Sequence, residues 1–271
     1  MDLPPDPSDL LAIARPIAEE VAARLEESTR GEGPAVSTKS TITDLVTELD
    51  TWAEAHIVGR LLDARPDDGV FGEEGADLAG TSGVTWSIDP IDGTVNFVHG
   101  IPGFCVSIAA VLDGRSIAGV VAVPLHHEVF TATLGGGAQV TREGVSRPIR
   151  CASPVSLSRS VVATGFGYDP ERRRRQAEVL TRVIPQIADI RRFGAAAVDL
   201  CWVACGRVDG YWEVGLNPWD HAAGALVATE AGAVVGGLAD GPPNASFTFA
   251  SAPEIAEELR AVLVVARADE V

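Results

Sequence analysis

A chain of 271 residues can form one large domain or two fused lobes around a sizeable core. Its net charge of −17 argues against nucleic acid or an anionic membrane as the main partner, and 46% hydrophobic residues argue against disorder. No apolar run approaches the ~20 residues that cross a bilayer, and the acidic, proline-rich "MDLPPDPSDL" does not resemble a signal peptide. Cytoplasmic residence is the expectation, with Cys105, Cys151, Cys201 and Cys205 as reduced thiols.

In chain order, Ser8 is expected to cap an amphipathic helix through "LLAIARPIAEEVAARLEES", bent at Pro16, with "TRGEGPAVSTKST" as the loop that ends it. A second helix is expected over Asp44 to Ala64, stopped by "RPDDG". Short strands follow at "GVFG" and "VTWSID", and then "CVSIAAVL", "SIAGVVAV" and "EVFTATL" predict an antiparallel meander. The stretch "REGVSRPIRCASPVSLSR" reads as the join of two α+β lobes, residues 1–145 and 146–271. Beyond it come a strand at "SVVATGF" and helices at Glu171 to about Ile184, Ala195 to Gly206, Trp219 to Ala231 and Pro253 to Ala266. Strands at "VDGYWEV", "GAVVGG" and "SFTFAS" lie among them. Without a regular βαβ repeat, the class is α+β, helices layered on sheets. The run Arg172 to Arg175, beside Glu171 and Glu178, reads as a solvated helix face, and Cys201 with Cys205 as helix packing.

Asp89 and Asp92 stand at the end of the apolar run "VTWSI", in a turn stiffened by Pro90. Carboxylates this close cannot both ionise cheaply without a cation or a proton between them. Oxygen donors with no Cys or His nearby favour Mg²⁺ or Mn²⁺ over Zn²⁺. Two further segments end on acids: "FGEEG" with Glu73 and Glu74, and "NPWDHAAGA" with Asp220 at a helix start. Gly93 and Thr94 supply the complement, a close backbone approach and a helix opening suited to phosphate. Together these are the parts for hydrolysing a phosphate ester.

"GEE", "DPIDGT.NF" and "WD.AAG", in this order and spacing, resemble the three motifs of the inositol monophosphatase family, Mg²⁺-dependent and Li⁺-sensitive phosphatases. The resemblance runs from "KSTITDLVTELD" to the C-terminal helix, and "GRVDGYWEVGLNPWDHAAGAL" is especially similar to bacterial inositol-1-monophosphatases. It implies a layered αβαβα sandwich, usually a homodimer, with two to three Mg²⁺ per subunit and Mn²⁺ as a substitute. Glu73, Asp89 and the carbonyl of Ile91 would hold the first ion. Asp89, Asp92 and Asp220 would hold the second, and Glu73 would support a third. Thr94, paired with Asp50, would activate the attacking water, and Lys39 would lie on the loop closing over the metals.

On the substrate side the resemblance places Asp92, Gly93, Thr94, Ala196 of "GAAAVDL" and Glu213, whose carboxylate suits the hydroxyls of a polyol. It favours myo-inositol 1-phosphate. Related enzymes hydrolyse fructose 1,6-bisphosphate, 3′-phosphoadenosine 5′-phosphate or histidinol phosphate, and Arg191 and Arg192 are candidates for holding a second phosphate. A non-catalytic scaffold is the reading from another class. The presence of Glu73, Asp89, Asp92, Thr94 and Asp220 counts against it. His221, beside Asp220, is expected on a helix face and not as a base.

Overall fold

The computed structural model describes residues 5–29, 36–38, 45–239 and 241–271. Helix α1, Pro7–Thr29, buries Leu10, Ala14, Ile17, Ala18, Val21 and Leu25 on one face and runs unbroken past Pro16. Asp6, not Ser8, occupies its cap: the Asp6 carboxylate accepts from the Ser8 N–H at 2.8 Å. Strands β1, Val36–Thr38, and β2, Leu45–Thr47, pair antiparallel where a loop and the start of a helix were expected. Short runs rich in β-branched residues prefer the extended backbone once a partner strand is available. Helix α2 therefore begins only at Glu48 and ends at Ala64, which places Asp50 in its first turn.

The first sheet is built from β3, Gly69–Gly72, β4, Asp77–Leu78, β5, Val84–Asp92, β6, Cys105–Leu112, β7, Arg115–Val123, β8, Glu128–Thr133, β9, Gly137–Arg142, and β10, Val145–Pro148. A five-residue helix α3, Thr94–Val98, follows β5. The strand order is β10-β9-β8-β7-β6-β5-β3-β4. The expected meander is present and longer than foreseen, since β9 and β10 extend it through Pro148. Only β3 and β5 run parallel within it.

The second sheet contains β11, Val161–Thr164, β12, Asp189–Arg191, β13, Gly210–Glu213, β14, Val234–Gly236, and β15, Thr248–Ser251, in the order β12-β11-β13-β15-β14. Its helices are α4, Pro170–Val183, α5, Ala196–Ala204, α6, Pro218–Glu230, and α7, Ala256–Ala266. Helices α1 and α2 lie on the outer face of the eight-stranded sheet, whose core there includes Ile57, Leu61, Trp86, Ile88 and Ile108. Helices α5 and α6 contact both sheets, and α4 with α7 covers the far face of the second around Val162, Trp212, Phe249 and Leu259. The result is the αβαβα sandwich expected from the sequence.

The central helix pair depends on a close approach. A Cβ built on Gly224 of α6 would stand 2.9 Å from Leu200 Cβ and 3.1 Å from the Ala197 carbonyl, both on α5. Gly224→Val should lower the unfolding free energy by ~1–3 kcal/mol, the usual cost of overpacking. Thermal unfolding reads it, and an unchanged midpoint would mean that the helices separate without cost.

Candidate active site

In a regular strand, residues three apart point to opposite faces. Asp89 and Asp92 escape this because β5 bulges between them: Asp89 is opposite Ser107 and Asp92 opposite Cys105, three steps on one strand against two on the other. The bulge also accommodates Pro90, which would otherwise interrupt a central strand. The two aspartates thus belong to the strand itself, not to a turn beyond it, and both line one cavity of about 330 Å³. Gly93 follows with φ 90°, in the left-handed region, and a Cβ there would press within 3.1 to 3.2 Å of Ala195, Gly103 and Gly194.

Each aspartate is aimed by backbone N–H groups. Asp89 Oδ1 accepts from Ile91 N at 3.0 Å. Asp92 accepts from Ala196 N at 3.3 Å and Ala197 N at 2.7 Å, joining β5 to the start of α5. Asp220 Oδ2 accepts from Asn217 N at 2.6 Å, so it also fills the ordinary role of an acid at a helix start. Glu73 is positioned by its loop, which the buried carboxylate of Glu54 pins through the N–H groups of Glu74 and Ala76 at 2.7 and 2.9 Å. A carboxylate oxygen has two acceptor sites, so these bonds fix the rotamers and leave lone pairs toward the cavity.

Burial raises the Asp89 carboxyl well above the usual range, and the charges of Glu73, Asp92 and Asp220 add to it. Asp220 is likewise raised well above its ordinary value, first by burial and then by Asp92. Asp92 rises to about 7 by burial, against the lowering bond from Ala197. Glu73 and Asp89 stand in side-chain hydrogen-bond contact, which needs a shared proton when no cation is bound. Among the described residues, no Arg stands among the largest influences on Asp89 or Asp220. Among the described residues no three acid, His or Cys side chains already form a closed ligand cluster. The acids line the cavity without enclosing a point in it. Glu73, Asp89, Asp92, Asp220 and the Ile91 carbonyl are an oxygen-only set around one cavity, and they fit a hard divalent cation.

Thr94 Oγ1 lies 3.1 Å from the Ile91 carbonyl and 3.4 Å from Asp50 Oδ1, one proton for two acceptors. Asp50 is fully buried behind it and is not part of the cavity lining. Ala196 and Glu213 line the same cavity. Tyr211 OH donates to Glu213 Oε2 at 2.6 Å. Burial raises the Glu213 carboxyl, opposed by Tyr211, Arg192 and Arg172. Lys39 lies outside the described residues.

Two features, Arg172 and Asp199, escape a sequence reading. Arg172, read as part of a solvated run, instead lines the cavity, while Arg174 is the one that pairs with Glu171 and Glu178 on the surface. Helical spacing within "ERRRR" could have separated them. Of the two other arginines, Arg192 lines the cavity and Arg191 pairs with Asp189 at 2.6 Å. Asp199, in the first turn of α5, is buried with neither oxygen hydrogen-bonded, and burial with the nearby Glu213 and Asp92 charges keeps its carboxyl well raised. Its position in "AAVDL" carries no signal of this.

The profile of the inositol monophosphatase family matches residues 6–267 of the chain. The inositol-1-monophosphatase SuhB of Mycobacterium tuberculosis is 45% identical over 275 aligned positions, covering 95% of this chain and 94% of the relative. The Nus factor SuhB of Vibrio cholerae is 39% identical over 235, covering 86% of each. The crystal structure of the extragenic suppressor protein suhB from Bartonella henselae superposes with a TM-score of 0.87 at 35% identity, covering 94% of this chain and 98% of that one. A match of this extent, in sequence and in architecture, places the chain in the inositol monophosphatase family, and its activity is that of a phosphatase.

Proposed function

We propose that the protein hydrolyses myo-inositol 1-phosphate to inositol and phosphate with Mg²⁺ as its cofactor. The observation that carries this reading is one cavity lined by Glu73, Asp89, Asp92 and Asp220 together with Glu213. Glu73, Asp89, Asp92, Asp220 and the Ile91 carbonyl would hold the cation. Bound there, Mg²⁺ would supply charge neutralisation for the phosphoryl oxygens and a lowered pKa for water.

The remaining work falls to the chain's own atoms. Gly93 and Thr94, at the turn into α3, offer backbone N–H groups to the phosphate. The Thr94 hydroxyl, within 3.4 Å of Asp50 Oδ1, can accept from a water while Asp50 takes its own proton. Glu213, fixed by Tyr211, accepts from adjacent ring hydroxyls. Ala196 presents only a methyl group, which leaves room for the ring.

Arg172 and Arg192 favour a second reading, the same chemistry on a sugar bisphosphate, because both line the cavity near Glu213. Glu213→Gln separates the two. It should raise KM for inositol 1-phosphate roughly tenfold, the scale of a lost bond to a charged acceptor, while leaving turnover of a generic aryl phosphate nearly intact. Steady-state phosphate release measures this. Equal effects on both substrates would remove Glu213 from specificity, and a fall in KM for fructose 1,6-bisphosphate would favour the second reading.

A further inference from the structure

Glu213 and Arg172 carry opposite charges and line the same cavity, yet they form no ion pair within 4.0 Å. Each is seated by the chain around it and not by the other. The Glu213 carboxylate lies over Gly165, where any Cβ would overlap it, and the Tyr211 hydroxyl holds it there at 2.6 Å. The Arg172 side chain leaves α4 across two more glycines. A Cβ on Gly167 would stand 2.8 Å from its Cδ, and one on Gly215 would stand 2.8 Å from its Cζ and 3.1 Å from its Nη2. Gly215 has φ 90°, so backbone and space alike disfavour a side chain there.

Among the described residues the Arg172 guanidinium donates no hydrogen bond, and only its backbone N–H is engaged, with Asp169 at the start of α4. Arg192, by contrast, is exposed and turns one nitrogen to the Phe166 carbonyl at 3.5 Å. The Arg172 charge reaches Glu213 all the same: burial raises that carboxyl, and Tyr211, Arg192 and Arg172 oppose the rise. A donor and an acceptor held beyond direct contact suit a ligand oxygen between them, since two hydrogen bonds meeting at one oxygen span on the order of 5 Å.

We propose that Arg172 is a specificity-determining residue, the donor to a substrate hydroxyl that itself donates to Glu213. This rests on the polyol reading of the cavity and supplies its second half. A hydroxyl donates and accepts at once, so it satisfies both partners. A second phosphate in that place would meet the Glu213 charge, and an ammonium would meet the Arg172 charge. The pair therefore selects a neutral hydroxyl against either charged substituent.

The test is steady-state phosphate release with excess Mg²⁺ from myo-inositol 1-phosphate, fructose 1,6-bisphosphate, histidinol phosphate and 4-nitrophenyl phosphate. It compares the full chain with Arg172→Met and Arg172→Lys. Arg172→Met should raise KM for inositol 1-phosphate roughly tenfold, the scale of a bond to a charged group, and leave the aryl phosphate within about twofold. KM for histidinol phosphate should fall, because the opposing cation is gone. The thermal midpoint should shift little, since the guanidinium pairs with nothing in the fold. Arg172→Lys keeps the charge without the planar fork and should fall between; it decides alone if Arg172→Met does not fold. An unaltered KM for inositol 1-phosphate would overturn the proposal. A rise shared equally with the aryl phosphate would make Arg172 a clamp on its two loops, and a larger rise for the bisphosphate would make it a phosphate ligand; either overturns it. Failure of the unmodified chain to hydrolyse inositol 1-phosphate while it hydrolyses the aryl ester would overturn the polyol reading, and the proposal with it.

Discussion

Asp92→Asn is expected to lower turnover by at least ~100-fold, the scale of removing one strong electrostatic stabiliser from a preorganised site. The substitution preserves shape and removes one unit of charge from the wall that would hold the cation. Its structural consequence differs in kind. Asp92 receives the N–H groups of Ala196 and Ala197, and an amide can accept through only one of its two terminal atoms. One of those bonds is lost, but so is a buried charge whose carboxyl already rises to about 7. Thermal stability without metal should therefore change little, whereas catalysis collapses. Phosphate release and thermal unfolding on the same preparation separate the two effects. Near-normal turnover would reduce Asp92 to a joint between β5 and α5.

Removing the divalent cation should abolish activity to below ~1% and expose a pH dependence of stability that the metal conceals. Asp89, Asp92 and Asp220 are raised in the folded state, chiefly by burial. A carboxyl raised on folding binds more protons folded than unfolded. Its stabilising contribution is thus present below the unfolded value and lost as pH rises through the folded one. For Asp92 that window runs from the ordinary 3.8 to about 7. Metal-free protein should lose on the order of 2–4 kcal/mol between about pH 4 and pH 7, with excess Mg²⁺ flattening the slope. Thermal midpoints across that range, with EDTA and with Mg²⁺, measure it. Parallel curves would show that these acids do not take up the ion.

The elements that carry the site were legible where local pattern and tertiary structure agree. The β-branched runs from Cys105 to Thr133 are strands because both faces are buried, and the acids at the ends of "GVFG" and "VTWSI" and at the start of α6 meet in space as their placement suggested. The bulge in β5 was not legible. Read at strict period two, Asp89 and Asp92 point apart, and only the pairing with β6 shows the extra residue. The β1–β2 pair was missed for the same reason, since three-residue strands take their conformation from a partner distant in sequence. Arg172 was hidden among identical neighbours: only its helical spacing to Gln176, Val179 and Val183, the buried face of α4, marks it as the one turned inward. Glu54 resembles any helix-face acid until the loop it holds is in place.

The reading proposed for the cavity is a metal-dependent phosphatase site whose acids face a polyol. The most direct test is phosphate release from myo-inositol 1-phosphate, fructose 1,6-bisphosphate and 3′-phosphoadenosine 5′-phosphate in parallel, each with Mg²⁺ and with EDTA. The expected result is Mg²⁺-dependent release with a preference for inositol 1-phosphate. Release that persists undiminished in EDTA, or a preference for the adenosine nucleotide, would contradict it.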